Sequence, residues 1–316
     1  MGKQRHKTIL ITGSSGTIGT RLVERLLQLG YDIIGIDKKN NAWVSQVNRV
    51  TKKVNLLDYN ALAKSVSDKS ISLVIHLAAN ARVHNLIVEP ELAKDNITST
   101  INVLELCRRK NIKSLIFASS REVYGDGARK MKRESDISID GTDNPYAASK
   151  IAGEAFVRAY AQCYDIRFAI LRFSNVFGMY DDSDRIIPLY IYQALRNQKM
   201  VVYGGEKTLD FTYIDDTVDG ILSSIQKLNA CHGRAYNISS GHGIRLQDVA
   251  KKIKKMTGST SELSIEKNRT GEIMNYVADI KLAKKILQYA PQHSWEEAIK
   301  KTIAWYHNNP VAKIIR

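Results

Sequence analysis

Residues 8–19 read TILITGSSGTIG, and this stretch decides the fold. Residues 8–12 form a nearly unbroken apolar run, which is typical of a strand covered on both faces. Three glycines follow at intervals of three residues. Apolar residues then recur with the spacing of one helix face as far as residue 29. The stretch therefore predicts a strand, a tight glycine turn and a helix over residues 17–29.

The glycine turn has the chemistry of a phosphate cradle. Its glycines let the backbone approach a pyrophosphate closely, and the following helix N-terminus offers free N–H groups. Asp37 ends the second predicted strand, where an acid binds the adenosine ribose hydroxyls and repels a 2′-phosphate. We therefore predict NAD rather than NADP, although Lys38 and Lys39 follow the acid; a tight turn without a ligand is the alternative. The cradle residues predicted to bind NAD are Gly13, Ser15, Gly16, Thr17, Ile18 and Gly19.

Strands and helices continue to alternate outward from this unit. Further strands are predicted at residues 32–36, 73–77, 115–118 and 167–171, and helices at residues 96–109 and 147–163. This order predicts the α/β class, with a doubly wound parallel sheet of the Rossmann type. Later helices are predicted at residues 187–196, 246–256, 281–288 and 295–306.

We predict two domains in the chain. Residues 1–175 form the Rossmann domain that binds NAD, and residues 211–240 return to it. Residues 176–210 and 241–316 form a second, smaller α/β domain. A length of 316 residues agrees with about two domains.

Composition excludes several classes of protein. Hydrophobic residues make up 44% and charged residues 25%, which excludes disorder, collagen and coiled coil as the main architecture. Lys and Arg number 47 against 32 Asp and Glu, so the formal net charge is +15. This excess suits an anionic partner such as nucleic acid, an acidic membrane or a polyphosphate substrate. Solubility is the plain alternative.

Cysteine and histidine placement indicates no metal and no disulfide framework. Cys107, Cys163 and Cys231 are far apart and lack CxxC spacing, which favours a reducing, cytoplasmic setting. The histidines have no ligand spacing, so no metal is predicted.

No apolar run approaches the ~18 residues of a membrane span, and no RNA-binding or helix-turn-helix signature is present. We therefore expect neither membrane nor nucleic acid as a partner.

Tyr146 and Lys150 lie four residues apart at the start of a predicted helix, so they share one face. A free tyrosine has a pKa of about 10 and is a poor base at neutral pH. A nearby ammonium favours the phenolate and lowers that pKa. The pair can then take a proton from a hydroxyl while hydride leaves the same carbon. Taken alone, this spacing is more often a solvated helix face.

Together with the cradle, the pair resembles the extended short-chain dehydrogenase/reductase superfamily. The resemblance is to its NAD-dependent nucleotide-sugar epimerase/dehydratase branch, which includes the UDP-glucose 4-epimerases, and it covers nearly the whole chain. It implies that the second domain binds a nucleotide-sugar. It also implies a homodimer paired through helices 96–109 and 147–163. The motifs that carry it are Gly13/Gly16/Gly19, Asp37, HLAA at 76–79, SSREVYG at 119–125, Tyr146/Lys150, LRFSNVFG at 171–178 and DFTYIDD at 210–216.

The resemblance implies roles for further residues around the cofactor. Ala78 and Ala79 fall where the family packs backbone against NAD, and Asn96 falls near the nicotinamide. Asn55 and Leu56 fall where the family meets the adenine, with Asn55 in place of the usual Asp.

Catalytic and substrate residues follow from the same resemblance. Ser120 would hydrogen-bond the reacting hydroxyl and help pass its proton to Tyr146; a hydroxyl that only caps the strand is the alternative. Asn175 and Arg269, the latter in RTGE at 269–272, would bind the diphosphate. Leu209 departs from the family, which often has an arginine there. Lys207 could partly replace that arginine, but a solvated lysine is the expectation.

The predicted reaction is NAD-dependent epimerisation of a nucleotide-sugar, a UDP-sugar, at C4 through a transient 4-keto intermediate. Glu122 stands where dehydratases and decarboxylases of the family keep a glutamate, so a dehydratase or decarboxylase is the alternative. Arg121 occupies the position of the acid that a dTDP-glucose dehydratase needs. A structural role for Glu122 in a salt bridge or hydrogen bond is equally open. A non-catalytic dinucleotide sensor is the alternative from another class.

Overall fold

The computed structural model describes residues 8–126, 131–269 and 273–309. Its strands are β1 (Thr8–Thr12), β2 (Ile33–Asp37), β3 (Thr51–Lys53), β4 (Ile71–His76), β5 (Ser114–Ser120), β6 (Met131–Lys132), β7 (Arg167–Phe173), β8 (Asn175–Phe177), β9 (Met200–Tyr203), β10 (Thr208–Tyr213), β11 (Arg234–Ile238), β12 (Gly243–Arg245), β13 (Leu263–Glu266) and β14 (Asn275–Ala278). Its helices are α1 (Thr17–Gln28), α2 (Ser45–Val50), α3 (Tyr59–Ser65), α4 (Val83–Val88), α5 (Leu92–Arg109), α6 (Pro145–Tyr164), α7 (Ile186–Leu195), α8 (Ile214–Gln226), α9 (Leu228–Cys231), α10 (Leu246–Met256), α11 (Lys281–Leu287) and α12 (Trp295–Asn308). Short 3₁₀ turns occupy Arg121–Tyr124 and Glu134–Asp136.

Seven parallel strands form the main sheet in the order β11-β7-β5-β4-β1-β2-β3. The chain runs from β1 outward through β2 and β3, then returns to the other side of β1 with β4. This reversal is the topological switch point, where ligands bind outside the carboxyl ends of the strands. The prediction of an α/β fold with a doubly wound parallel sheet is confirmed.

Helices cover both faces of this sheet, which explains the unbroken apolar run in β1. Ile9 and Ile11 of β1 pack with Leu22 of α1 in one buried cluster. Leu10, which points to the opposite face, packs with Val103 of α5 in another. A strand buried on two sides has no solvent-facing positions, so it shows no polar alternation.

Two smaller sheets follow the main one. Strands β12, β10, β14 and β6 pair in that order, β8 also pairs with β10, and β13 pairs with β9. A third apolar cluster joins α7, α10 and α12 to these strands. Strand β11 lies in the main sheet beside β7, and α8 contacts α1 through Arg21–Asp215 and Arg25–Asp219 ion pairs. The exact division of the chain into two domains stays a prediction.

Helix bounds differ from the sequence expectation where a cap decides them. The sequence predicts a helix from residue 147, but α6 begins at Pro145. The Asn144 side chain accepts a hydrogen bond from the Ala147 N–H at 2.9 Å, and a proline fits the first turn of a helix. Helix α8 was not predicted, because its Asp and Gly residues weaken the helical pattern that its buried apolar face would otherwise show.

Candidate active site

The glycine turn is shaped by contacts that leave no room for a side chain at two of its glycines but would allow one at the third. A Cβ on Gly13, which has a φ of +74°, would lie 2.7 Å from the Ala78 backbone nitrogen. A Cβ on Gly19 would lie 2.0 Å from the Gly13 carbonyl oxygen. A Cβ on Gly16 would meet nothing closer than 3.4 Å. Packing within the described protein therefore explains two glycines but not the third, and the space at Gly16 suits a group such as a pyrophosphate at the start of α1.

Asp37 is held at the edge of this cradle. Its carboxylate accepts hydrogen bonds from the Ser15 N–H at 3.0 Å and the Lys39 N–H at 2.9 Å. The Lys38 ammonium lies 3.3 Å from the Asn80 side-chain oxygen, so it is directed to the loop after β4. An acid held beside the cradle fits the ribose hydroxyls of NAD. Thr17 donates to the Tyr180 carbonyl at 3.1 Å, which ties the cradle to the loop after β8.

Asn55 and Leu56 lie in the turn after β3. The Asn55 side chain accepts a hydrogen bond from the Leu57 N–H at 3.1 Å, and the Leu56 carbonyl accepts one from Asn102 of α5 at 2.8 Å. Leu56 is buried and Asn55 is exposed. The structure thus places an apolar and a polar residue at the turn predicted to meet the adenine.

Asn96 holds the loop after β4, where Ala78 and Ala79 lie. Its side chain exchanges hydrogen bonds with the Asn80 backbone at 2.7 Å and 3.1 Å. It also donates to the Ser149 hydroxyl of α6 at 3.1 Å. Its polar atoms are thus engaged within the protein, so Asn96 joins the loop predicted to contact NAD to the helix that carries Tyr146.

Ser120, Tyr146 and Lys150 converge at the carboxyl end of β5. Ser120 is the last residue of β5; its hydroxyl accepts a hydrogen bond from the Glu122 N–H at 3.2 Å and lies close enough to Tyr146 to influence the pKa of that tyrosine. The Lys150 ammonium donates to the Ala118 carbonyl at 2.8 Å and lies 5.9 Å from the centroid of the Tyr146 ring. All three side chains are buried. The predicted catalytic constellation is therefore assembled, although its catalytic role stays a prediction.

The pKa of Tyr146 shifts in the opposite direction from the one expected. Burial raises the pKa of Tyr146, and the nearby Ser120 hydroxyl and the charge of Arg185 only partly oppose this effect. Burial also lowers the pKa of Lys150 to about 8, against the charge of Glu154. The expectation that the lysine brings the pKa of the tyrosine below its usual value is wrong for this chain, because burial outweighs the neighbouring charges.

Glu122 lies in the 3₁₀ turn after Ser120, with both carboxylate oxygens engaged. Arg121 forms an ion pair with Oε1 at 2.9 Å, and the Asn144 side-chain amide lies 3.3 Å from Oε2. Asn144 is also the N-cap of α6. Glu122 therefore connects the turn after β5 to the beginning of the helix that carries Tyr146.

The residues predicted to bind the substrate diphosphate are placed in part. Asn175 donates to the Asp210 carbonyl at 3.0 Å, and the Arg269 guanidinium lies 3.9 Å from the Tyr203 ring centroid. The rest of the RTGE motif, residues 270–272, lies outside the described residues. Leu209 is buried in β10. Lys207 is also buried, so the expectation of a solvated lysine is wrong; its side chain packs over Gly204.

Sequence reasoning missed two arginines near this constellation. Arg82 donates to the Ser183 hydroxyl at 3.3 Å and forms an ion pair with Asp184. Arg185 forms an ion pair with Asp181 at 3.7 Å, and its charge acts on Tyr146. Burial and the charge of Arg185 lower the pKa of Arg82 to about 10. No spacing connects these distant positions; the one available signal was that Arg82 directly follows the loop after β4.

His76 at the end of β4 is part of the scaffold. Its ring lies 2.6 Å from the Thr12 hydroxyl and 3.2 Å from that of Thr100, and burial lowers its pKa to about 3. Among the described residues, no group of three or more His, Cys, Asp or Glu side chains could hold a metal ion. No helix within those residues is long and apolar enough to cross a membrane.

Comparison with known proteins agrees with this geometry. Residues 9–239 match the family described as "NAD dependent epimerase/dehydratase family". A UDP-glucose 4-epimerase of Erwinia amylovora is 30% identical over 96% of this chain and 98% of its own length. A UDP-N-acetyl-alpha-D-glucosaminuronate decarboxylase of Bacillus cytotoxicus is 30% identical over 95% of this chain and 98% of its own.

Solved structures show the same architecture. A UDP-glucose 4-epimerase of Thermotoga maritima, crystallised with UDP-glucose, superposes with a TM-score of 0.89 at 28% identity, covering 96% of this chain and 99% of that one. MoeE5 in complex with UDP-glucose and NAD superposes with a TM-score of 0.86 at 25% identity, covering 96% of this chain and 100% of that one. The fold and the cradle define an NAD-dependent enzyme of the Rossmann type. The chain belongs to the NAD-dependent epimerase/dehydratase family.

Proposed function

We propose that this chain epimerises a UDP-sugar at C4 through a transient 4-keto intermediate. The observation that carries the proposal is the convergence of Ser120, Tyr146 and Lys150 beside the cradle, next to a glutamate whose carboxylate is already engaged. A 4-epimerase needs one acid–base pair at the reacting hydroxyl and no second base. The engagement of Glu122 by Arg121 and Asn144 supports this reaction over one that uses Glu122.

Each residue of the constellation has a role that its contacts support. Ser120 hydrogen-bonds the C4 hydroxyl and relays its proton toward Tyr146, whose pKa the nearby Ser120 hydroxyl influences. Tyr146 accepts that proton as hydride leaves C4, and later returns it. Lys150, held by the Ala118 carbonyl, supplies positive charge beside the phenolate that forms. NAD, held by the cradle, would supply the hydride acceptor and then the hydride donor, and the 4-keto sugar must turn between the two transfers so that hydride returns to its opposite face.

Residues at the cradle and beyond it provide the binding sites. Gly13, Gly16 and Gly19 with the N-terminus of α1 would hold the NAD pyrophosphate, and Asp37 the ribose. Asn175 and Arg269 are proposed to bind the substrate diphosphate, for which the planar guanidinium of arginine is suited. The partly buried Arg82 and Arg185 lie close enough for their charges to interact, and the charge of Arg185 also acts on Tyr146.

A lyase reaction is the second candidate, because Glu122 is buried close enough for its charge to act on Tyr146. In a dehydratase, such a carboxylate would take the C5 proton. That role requires Glu122 to leave Arg121 or Asn144. The decarboxylase among the relatives is also a lyase, although it releases carbon dioxide rather than water.

Mass spectrometry with chromatographic separation of the sugars distinguishes the two reactions. The chain is incubated with NAD and, separately, with UDP-glucose, UDP-N-acetylglucosamine, UDP-glucuronate and dTDP-glucose. We expect a product of unchanged mass and altered mobility from a UDP-sugar. Loss of water or carbon dioxide would instead assign a lyase and give Glu122 a chemical role. Glu122→Gln is the matched variant, which should retain epimerisation and would abolish a lyase reaction.

A further inference from the structure

A buried ion pair lies directly behind the proposed catalytic residues. Arg172 of β7 donates from Nε to one oxygen of Glu154 in α6 at 2.8 Å, and from Nη2 to the other at 2.7 Å. Both side chains are almost completely buried, at 2% and 4% exposure. Burying two charges costs about as much free energy as their attraction returns, so stability alone is a weak explanation for such a pair.

Contacts of Glu154 reach the catalytic residues from two directions. The Ser119 hydroxyl donates to Glu154 Oε1 at 2.6 Å, and Ser119 directly precedes Ser120 at the end of β5. Along α6, Glu154 lies one turn beyond Lys150 and two turns beyond Tyr146, on the same face. The carboxylate therefore contacts the strand end that carries Ser120, and Glu154 is one helical turn away from the lysine.

The far side of Arg172 fixes the orientation of the ion pair. Arg172 Nη1 donates to the Tyr124 hydroxyl at 3.0 Å and to the Glu134 carbonyl at 2.8 Å. The Tyr124 hydroxyl in turn donates to the Asn237 side chain of β11 at 2.5 Å. Each donor nitrogen of the guanidinium has an acceptor, so neither partner can rotate without losing a buried hydrogen bond.

Lys150 is a buried cation whose charge Glu154 supports. Burial lowers the pKa of Lys150 to about 8, and the charge of Glu154 is the opposing influence. Strand β5 carries no charged side chain, and α5 contributes the neutral Asn96, Ser99 and Thr100 here. The other titratable or charged groups on elements packed around α6 at this level are Tyr146, Arg121, Glu122, Tyr124, Arg172, His76, which is neutral above pH 3, and the exposed His84 of α4.

We propose that Glu154 is a positioning residue: held by Arg172 and Ser119, it keeps the Lys150 ammonium charged beside Tyr146 and fixes the end of β5 against α6. The catalytic consequence rests on the proposed function. The effect on Lys150 concerns the chain alone and is measurable without turnover.

Lysine side-chain NMR tests the effect on Lys150 directly. The full-length chain, labelled at lysine ¹³Cε and ¹⁵Nζ, is titrated with pH, and the Lys150 resonance is assigned with Lys150→Arg. We expect Glu154→Gln to lower the pKa of Lys150 by roughly two units, as for two unit charges about one helical turn apart at an effective dielectric constant near 20. The matched control is Asp219→Asn, which removes a carboxylate paired with Arg25 on the opposite face of the sheet and should leave the titration unchanged.

A second variant keeps the proposal testable if the single substitution unfolds the protein. Glu154→Gln with Arg172→Met removes both charges and leaves no unpaired buried arginine. We expect a smaller downward shift at Lys150, because Glu154 is the charge that acts on Lys150 while removal of the Arg172 charge from β7 offsets part of the effect. An unchanged Lys150 titration in either folded variant overturns the proposal and leaves the ion pair a purely structural element.

The pH profile of turnover supplies the catalytic readout. Loss of the Glu154 charge disfavours the Lys150 ammonium, so the basic limb of the kcat profile, which reports deprotonation of Lys150, should move to lower pH. A purely structural role would lower the melting temperature or kcat without moving the limbs. If the wild-type chain converts no nucleotide-sugar, the proposed function fails, and the NMR titration still decides the role of Glu154 toward Lys150.

Discussion

Tyr146 combines two demands at the scale of one residue. It must be shielded from water to control a proton, yet burial raises its pKa and makes the phenolate harder to form. The Ser120 hydroxyl and the positive charges of Arg185 and Arg121 each oppose that effect. The balance explains why several groups converge on one hydroxyl.

Replacing Tyr146 tests its proposed role. We expect Tyr146→Phe to reduce turnover by ~10²–10⁴, because the ring and its packing stay while the proton acceptor is lost. Binding of NAD, followed by fluorescence titration, should change little. Tyr164→Phe, at the exposed end of the same helix, is the control. Turnover within a few-fold of wild type in Tyr146→Phe would contradict the mechanism.

Two glycines of the cradle make a matched pair. Gly16→Ala should leave the free energy of unfolding within about 1 kcal/mol, because its φ of −76° suits alanine and the new Cβ meets nothing closer than 3.4 Å. Its affinity for NAD should fall by roughly tenfold or more, about 1.4 kcal/mol, if the Cβ enters the pyrophosphate site.

Gly19→Ala should behave in the opposite way. Its Cβ would lie 2.0 Å from the Gly13 carbonyl, so we expect a loss of stability of about 1–3 kcal/mol or more. Chemical unfolding and NAD titration of both variants measure the two effects separately. Equal NAD affinity in Gly16→Ala and wild type would contradict the prediction that the NAD pyrophosphate binds at this turn.

At the scale of elements, the strand ends are tied together by buried polar contacts. His76 joins β4 to Thr12 of β1 and Thr100 of α5, while Asn96 joins α5 to α6. These bonds hold the carboxyl edge of the sheet, which carries both the cradle and the catalytic residues. These polar side chains can be buried because their polar atoms have hydrogen-bond partners.

His76 makes the free energy of unfolding depend on pH. Its pKa is about 3 in the folded chain and about 6.5 when unfolded, so the unfolded state binds more protons between these values. The contribution of His76 to the free energy of unfolding is fully present above pH 6.5 and falls as pH decreases toward 3. Between pH 6.5 and 5 it falls by roughly 2 kcal/mol.

His76→Gln is the variant that isolates this effect, since an amide can bond both threonines without titrating. Chemical unfolding at pH 7 and pH 5 should show a shallower loss for the variant than for wild type. His242, which is exposed, provides the control substitution. The same pH dependence in His76→Gln and wild type would exclude His76 as the cause.

At the scale of the whole molecule, the loop after β8 joins the main sheet to the remainder. Tyr180 accepts a hydrogen bond from Thr17 of α1 through its carbonyl, and Tyr306 of α12 donates to the Asp181 carbonyl. Asp184 forms an ion pair with Arg82 after β4. The loop thus contacts the cradle, the last helix and the residues near Tyr146 together.

Subunit pairing is a prediction at this same scale. We expect a homodimer of about 71 kDa, twice the chain mass of 35.5 kDa, formed through α5 and α6. Size-exclusion chromatography with light scattering measures the mass. Charged substitutions on the outer faces of these helices should release monomers, whereas a monomer in the unaltered chain would contradict the prediction.

Local pattern was sufficient for much of this protein. The apolar run and glycine spacing of residues 8–19 determine the strand, turn and helix, because each of these elements depends on near neighbours along the chain. Continuous apolar strands alternating with helices determined the parallel sheet, since such strands must be covered on both faces. The cradle, Asp37, Ser120 and the Tyr146–Lys150 pair were all predicted for the site.

Only the tertiary structure decided what those residues experience. The pKa directions of Tyr146 and Lys150 follow from burial, which depends on elements far apart in the chain. The engagement of Glu122, the burial of Lys207, the arrival of Arg82 and Arg185 near the site and the Glu154–Arg172 pair arise between distant segments. Spacing along the sequence sets which residues share one element, whereas charge and solvent exposure depend on which elements meet.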